Sequence, residues 1–282
     1  MSEPRVIHTG VDFGEGPRWR EGRLWFSDFH RHAVFSIEPE GGDERVELQL
    51  DGEQPSGLGW MPDGTLLVVA MLSRKLLAVA PDGTMREHAD LSEIATANCN
   101  DLVVSADGHA YVGNFGFDLD NDAEFAAAFL AHVMPNGDVR KVDHALAFPN
   151  GAVITPDGST LIVGETFAGR YTSFTLDESG HPVDPRTWGS IEGAPDGCCL
   201  DADGAIWVSD FIGKRFARLH PDGTISREIP VDGAAVACML GGPADKTLYG
   251  FVSPGSGKDE TAGCGLTTII AVDVDVPHAG LP

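Results

Sequence analysis

Basic residues are scarce in this sequence: 19 Lys and Arg stand against 43 Asp and Glu, a formal charge of −24 over 282 residues. A surface of that sign repels phosphate backbones and anionic headgroups, which excludes nucleic acid and membranes as partners. No apolar run approaches the ~20 residues of a membrane span. The opening Met1-Ser2-Glu3-Pro4-Arg5 has neither a basic n-region nor an apolar core, so we expect no leader and a cytoplasmic protein. Five cysteines, an odd number without a Cys-x-x-Cys pair, give no zinc ligand spacing. Adjacent Cys198 and Cys199 on a strand would point to opposite faces, and free thiols in a reducing compartment are expected. Helical periodicity is nearly absent. So is a Gly-x-Ser-x-Gly elbow, which removes the serine-hydrolase reading.

Two near-motifs also fail. Asp118-Leu119-Asp120-Asn121-Asp122 starts like a calcium loop, but Ala123 replaces the required glycine and Phe129 the closing glutamate. Gly255-Ser256-Gly257-Lys258 lacks the first glycine of a phosphate loop and is followed by Asp259.

What is present is a repeat. A tight turn followed by a β-branched or aromatic run recurs at Gly22, Gly64, Gly108, Gly158 and Gly204, and in degenerate form at Lys246, every 42 to 50 residues. A second series of turns falls between them, at Gly41, Gly83, Gly137, Gly180 and Gly223. Two hairpin turns per period predict four antiparallel strands, and six periods predict a six-bladed, all-β propeller as one domain over residues 1–282. The unpartnered runs Arg5–His8 and Ile269–Val274 are expected to pair and close the ring.

The innermost strand of each blade should run into the first turn, so its start lies about eight residues upstream. Counting back gives Glu15, Ser56, Asn100, Asn150, Asp196 and Cys238. Propeller symmetry brings such positions to one axis. Two carboxylates and two amides are hard oxygen donors suited to a divalent cation. Loops after each second strand should share that face. They carry Phe115, Phe117, Phe167 and Phe211, with Asn98 just before the third axial position, and Phe115 to Ala127 is the longest of them, a candidate lid. An aromatic rim of this kind either suits an apolar or aromatic substrate or seals the packing between blades. His30 and His32 stand near the mouth and are expected to be structural.

Gly14-Glu15-Gly16-Pro17, Asn98-Cys99-Asn100-Asp101, Phe148-Pro149-Asn150-Gly151 and Ala194-Pro195-Asp196-Gly197, in this order, resemble the gluconolactonase/senescence marker protein (regucalcin-like) family. The resemblance runs from about residue 12 to the C-terminus. It implies a six-bladed propeller holding one divalent metal, with Glu15, Asn150 and Asp196 as ligands. Ca²⁺ leads, with Mn²⁺, Mg²⁺, Zn²⁺ or Fe²⁺ as alternatives. Asn100 would touch substrate or metal-bound water, Asp101 would support the site, and Asp196 would serve as general base in lactone hydrolysis. Sugar lactonases of the family often carry Arg where this chain has Asn98, which points away from a polyol. A lyase or isomerase on the same site, or a non-catalytic ion-binding propeller, are the alternatives.

Overall fold

The computed structural model describes residues 3–282; Met1 and Ser2 lie outside them. Six four-stranded antiparallel sheets form the blades of a propeller. The innermost strands are Gly14–Arg20, Pro55–Trp60, Cys99–Val104, Pro149–Ile154, Pro195–Leu200 and Ala234–Gly241, in blades 1 to 6. Arg5–Val11 is the outer strand of blade 6, paired with Thr267–Asp273 in the register Arg5↔Ala271 and Val6↔Ile270. The two ends of the ring are therefore stitched through one sheet.

The predicted turns form for a local reason. At the tips an Asp carboxylate accepts the backbone N–H two residues on, as Asp63 does from Thr65 and Asp222 from Thr224. The following glycine, such as Gly64 at φ +87°, supplies the left-handed conformation that the tight turn needs. Between blades, small and branched apolar side chains fill the seams. Leu58, Val68 and Val34 close blade 1 on blade 2; Val153, Cys198 and Val208 close blade 4 on blade 5. Each fully buried side chain of this kind contributes roughly 1.5–3 kcal/mol. Among the described residues no helix is long and apolar enough to cross a membrane.

A feature the repeat did not announce is the C-terminal tail. After the last strand it crosses beneath blade 6, where Val274 and His278 donate to Lys246 O and Asp245 O. It then pairs with the far ends of two innermost strands: Ala279 donates to Leu200 O, and Leu281 exchanges both backbone bonds with Ile154. The tail thus lies across the end of the axial channel opposite the starts of those strands.

On that same side three histidines form a hydrogen-bonded row across the seam of blades 3 and 4. His109 Nδ1 lies 2.8 Å from His132 Nε2, and His132 Nδ1 lies 3.0 Å from His181 Nδ1. Burial, then the neighbouring His109, His181 and Arg140, pull the pKa of His132 down to about 4, with Asp177 opposing. An unfolded histidine titrates near ~6.5. The unfolded chain therefore binds a proton that the seam refuses. Stability from this row is complete above the unfolded value and is lost as pH falls towards the folded one. We expect about 2 kcal/mol less stability at pH 4.5 than at pH 7.5 from His132. Urea unfolding at the two pH values checks this, with His132→Gln narrowing the difference.

Candidate functional site

The starts of the innermost strands share one construction. In blades 2 to 5 the pairing with the second strand slips by one residue directly after the first residue or two, between Pro55 and Leu58, Cys99 and Leu102, Pro149 and Ala152, and Pro195 and Cys198. Such a bulge re-aims side chains away from the sheet. The bulged pairs are Ser56-Gly57, Asn100-Asp101, Asn150-Gly151 and Asp196-Gly197, which are the predicted axial residues and their successors. Blade 1 slips one residue later, between Glu15 and Arg18, so that Glu15 still pairs with Ser27.

The glycine that follows has a packing cause. A Cβ at Gly57 would stand 2.4 Å from Leu102 N, and one at Gly151 would stand 2.6 Å from Cys198 N. Neighbouring innermost strands approach too closely there for any side chain. Pro-Asn-Gly and Pro-Asp-Gly are thus not turns but strand starts pressed against the next blade. In blade 3 the corresponding position holds Asp101, whose carboxylate is buried instead.

Buried polar side chains at the ends of the second strands hold the incoming segments in place. Asp28 accepts the N–H groups of Asp12 and Phe13, Glu165 that of Ala147, and Asp210 that of Ala194. Each of these anchored groups lies two or three residues before Glu15, Asn150 or Asp196. Arg170 and Arg215 neutralise Glu165 and Asp210.

Glu15, Asn100, Asp101, Asn150 and Asp196 are all buried. The structure brings the three carboxyls into mutual electrostatic contact. Burial first, then Asp196 and Asp101, hold Glu15 well above the usual carboxylate range. Asp196 is raised by burial and by Asp101, with the Asn150 side chain and the Gly197 N–H opposing as hydrogen-bond donors. Asp101 is raised by burial and drawn back by Arg18. Its Oδ1 has no hydrogen-bond partner. Ser56 Oγ donates to Asn100 Oδ1 over 3.3 Å, leaving the amide Nδ2 hydrogens as donors. Asn150 Nδ2 donates to Thr166 Oγ1 at 3.2 Å.

Arg18 is the cation among these acids. It is buried, and its two Nη groups donate to Pro17 O at 2.7 Å and Leu102 O at 2.5 Å. Sequence reasoning passed over it, although an arginine in an otherwise buried inner strand is a visible signal. Cys238 does not sit with the others: its Sγ reaches Trp207 O at 3.4 Å in the seam of blades 5 and 6. The innermost strand of blade 6 has eight residues rather than six, so counting back from the turn lands in mid-strand.

Among the described residues no three His, Cys, Asp or Glu side chains form a ready-made ion cage. The donor set at the axis is mixed, carboxylate with amide. A buried orphan oxygen and carboxyls that resist ionisation beside one another fit a divalent cation as their missing partner.

Around the mouth, the predicted loop runs from Phe115 to Ala127 and includes a short 3₁₀ turn at Leu119–Asn121. Asp118 spends its oxygens on Asn121, with Oδ1 taking the backbone N–H and Oδ2 the side-chain amide. Leu72, Arg74, Asn98, Phe115, Phe117 and Asp118 help to line a cavity of about 340 Å³ beneath this loop. Phe167 meets Phe117 on the same side, whereas Phe211 lies apart, half-buried against the core shared by blades 5, 6 and 1. His30 and His32 are engaged with Thr261 Oγ1 and Glu53 O.

A family model, the SMP-30/Gluconolactonase/LRE-like region, matches residues 13–251. The chain belongs to this family. Among similar proteins, regucalcin of Xenopus laevis is 26% identical over 266 residues, covering 90% of this chain and 87% of the relative. The 6-deoxy-6-sulfogluconolactonase of Pseudomonas putida is 27% identical over 267 residues, covering 86% and 84%. The crystal structure of a calcium-binding protein, regucalcin, from Agrobacterium tumefaciens superposes with a TM-score of 0.81 at 24% identity, covering 100% and 97%, and bears out the propeller fold.

Proposed function

We propose that this family member is a lactonase whose reaction takes place at the axial cluster. The observation that carries the reading is the convergence of buried Glu15, Asp101 and Asp196 with Asn100 and Asn150 at the bulged starts of the inner strands. The lactonase named among its relatives supports the same class. Glu15, Asn150 and Asp196 would hold one divalent cation, with Ca²⁺ first among the hard ions that oxygen donors accept. When bound, the ion supplies Lewis-acid polarisation of the substrate carbonyl and offsets the paired carboxylates.

The protein's own groups carry the remaining steps. Asp196 accepts a proton from the water that attacks the acyl carbon. Asn100 Nδ2 donates to the carbonyl oxygen as negative charge develops there. The acyl C–O bond of the ring then breaks, and Asp196 returns its proton to the leaving alkoxide, giving the open hydroxy acid. Arg18, with both Nη groups committed to carbonyls, sustains Asp101 and the local field without touching substrate. The apolar side of the mouth favours an aromatic or apolar lactone over a sugar lactone.

The test is a panel of sugar, aliphatic and aromatic lactones in ¹⁸O-labelled water. We expect ring-opened acid carrying one solvent oxygen. Product lacking the label would replace hydrolysis by a lyase or isomerase reaction, and the absence of any product would leave an ion-binding protein.

A further inference from the structure

Five phenylalanines from three segments meet on one side of the mouth. Phe115 stacks on Phe148 with centroids 4.7 Å apart, and Phe148 stacks on Phe167 at 4.8 Å. Phe117 and Phe125, both from the 115–127 loop, each lie 5.9 Å from Phe167 and 5.7 Å from one another. Yet the cluster is not sealed: Phe125 is 54% and Phe167 53% exposed. Large aromatics left open together mark a surface that something covers.

The centre of the stack is strained. Phe148 has φ +65°, an outlier for a bulky residue, directly before Pro149, where an extended backbone is preferred. Such a conformation persists where its surroundings over-determine it, and it gathers at functional sites. Here the rings of Phe115 and Phe167 clamp it from both sides. The wall is also continuous with the axial cluster. Phe148 is two residues before Asn150, and Phe167 follows Thr166, whose hydroxyl accepts from Asn150 Nδ2. Phe115 and Phe117 also border the 340 Å³ cavity beside Asn98, Arg74 and Asp118, which neither Phe125 nor Phe167 lines.

We infer that this one-sided wall is a ring-binding subsite: the substrate is a lactone fused to, or carrying, a planar aromatic ring that packs against Phe125 and Phe167. The inference rests on the lactonase reading and adds the substrate class and its orientation, with the ring towards blades 3 and 4.

Two measurements test it together. The first is the ratio of kcat/KM for dihydrocoumarin to that for γ-valerolactone in the wild type and in Phe125→Ala/Phe167→Ala. The second is the affinity of both proteins for the non-hydrolysable lactam 3,4-dihydroquinolin-2-one, by calorimetry. Each lost ring should cost about tenfold. The double variant should therefore lower the ratio about 100-fold and weaken the lactam comparably. Both side chains are half-exposed, so the variant should fold, and its melting temperature checks this. An unchanged ratio together with unchanged lactam affinity overturns the subsite. Lactam binding that weakens in the variant, with no lactone hydrolysed by either protein, upholds the subsite and overturns the lactonase reading instead.

Discussion

Asp196→Asn is expected to lower lactone turnover by about 10³-fold, the scale of losing a positioned general base. The same change is expected to leave the ion-free fold as stable as before, or firmer. Both expectations come from one feature. Asp196 is buried beside Asp101 and Glu15, and its surroundings hold its carboxyl well above the ordinary range. At neutral pH an ionised group in such a place opposes folding, and a neutral isostere of the same volume relieves the opposition. The Asn150 side chain and the Gly197 N–H, which donate to Asp196, can still find the amide oxygen of asparagine. Steady-state kinetics and a thermal melt in chelator measure the two effects on one sample. Lost turnover with an equal or higher melting temperature is the expected pair; a large fall in melting temperature would make Asp196 a structural residue.

The second large effect concerns the cation. Chelator-treated protein is expected to gain roughly 5 °C in melting temperature when Ca²⁺ or Mn²⁺ is added at about 100 times its dissociation constant. The gain arises because the ion binds the folded site and not the unfolded chain. It should vanish in Glu15→Gln, which strips the proposed set of a negative charge, and in Asn150→Ala, which removes one of its oxygen donors. Asn150→Ala also frees Thr166 Oγ1, whose own donor bond to Pro195 O remains. The scaffold around the vacancy is therefore retained. A gain of the same size in both variants would place the ion elsewhere.

Much of the architecture could be read from the chain because propeller symmetry converts spacing into position. The turns at Gly64, Gly108 and Gly204 mark equivalent places in successive blades. Once the blades are in phase, Asn100, Asn150 and Asp196 must share an axis. The count failed where the phase failed, in blade 6, whose longer inner hairpin moved Cys238 into the seam. Other features had a signal that went unused. Asp28, Glu165 and Asp210 recur at the ends of second strands, and the recurrence of an acid there announces the brackets that hold Glu15, Asn150 and Asp196. Arg18 was equally visible as a charge within a buried strand.

What spacing could not give was contact between unlike segments. Phe148 carries no repeat signature, and its ring stacks on rings from residues 33 positions before and 19 after it. Phe125 joins the same wall through the fold of a non-repeating loop. The row of His109, His132 and His181 spans two blades: His109 and His181 each follow a turn glycine, whereas His132 lies within the strand Ala128–Val133. The C-terminal tail, with no strand run of its own, docks by backbone bonds at Leu200 and Ile154 that any sequence could make.

The account stands most directly on the coupling between ion and turnover. The decisive measurement is a titration of Ca²⁺ or Mn²⁺ into chelator-stripped protein, with ion uptake and hydrolysis of the best lactone followed together. We expect activity to return in step with one ion per chain, and neither uptake nor activity to return in Asn150→Ala. Full hydrolysis by the stripped protein in excess chelator, or normal ion uptake by the variant, would contradict the axial site proposed here.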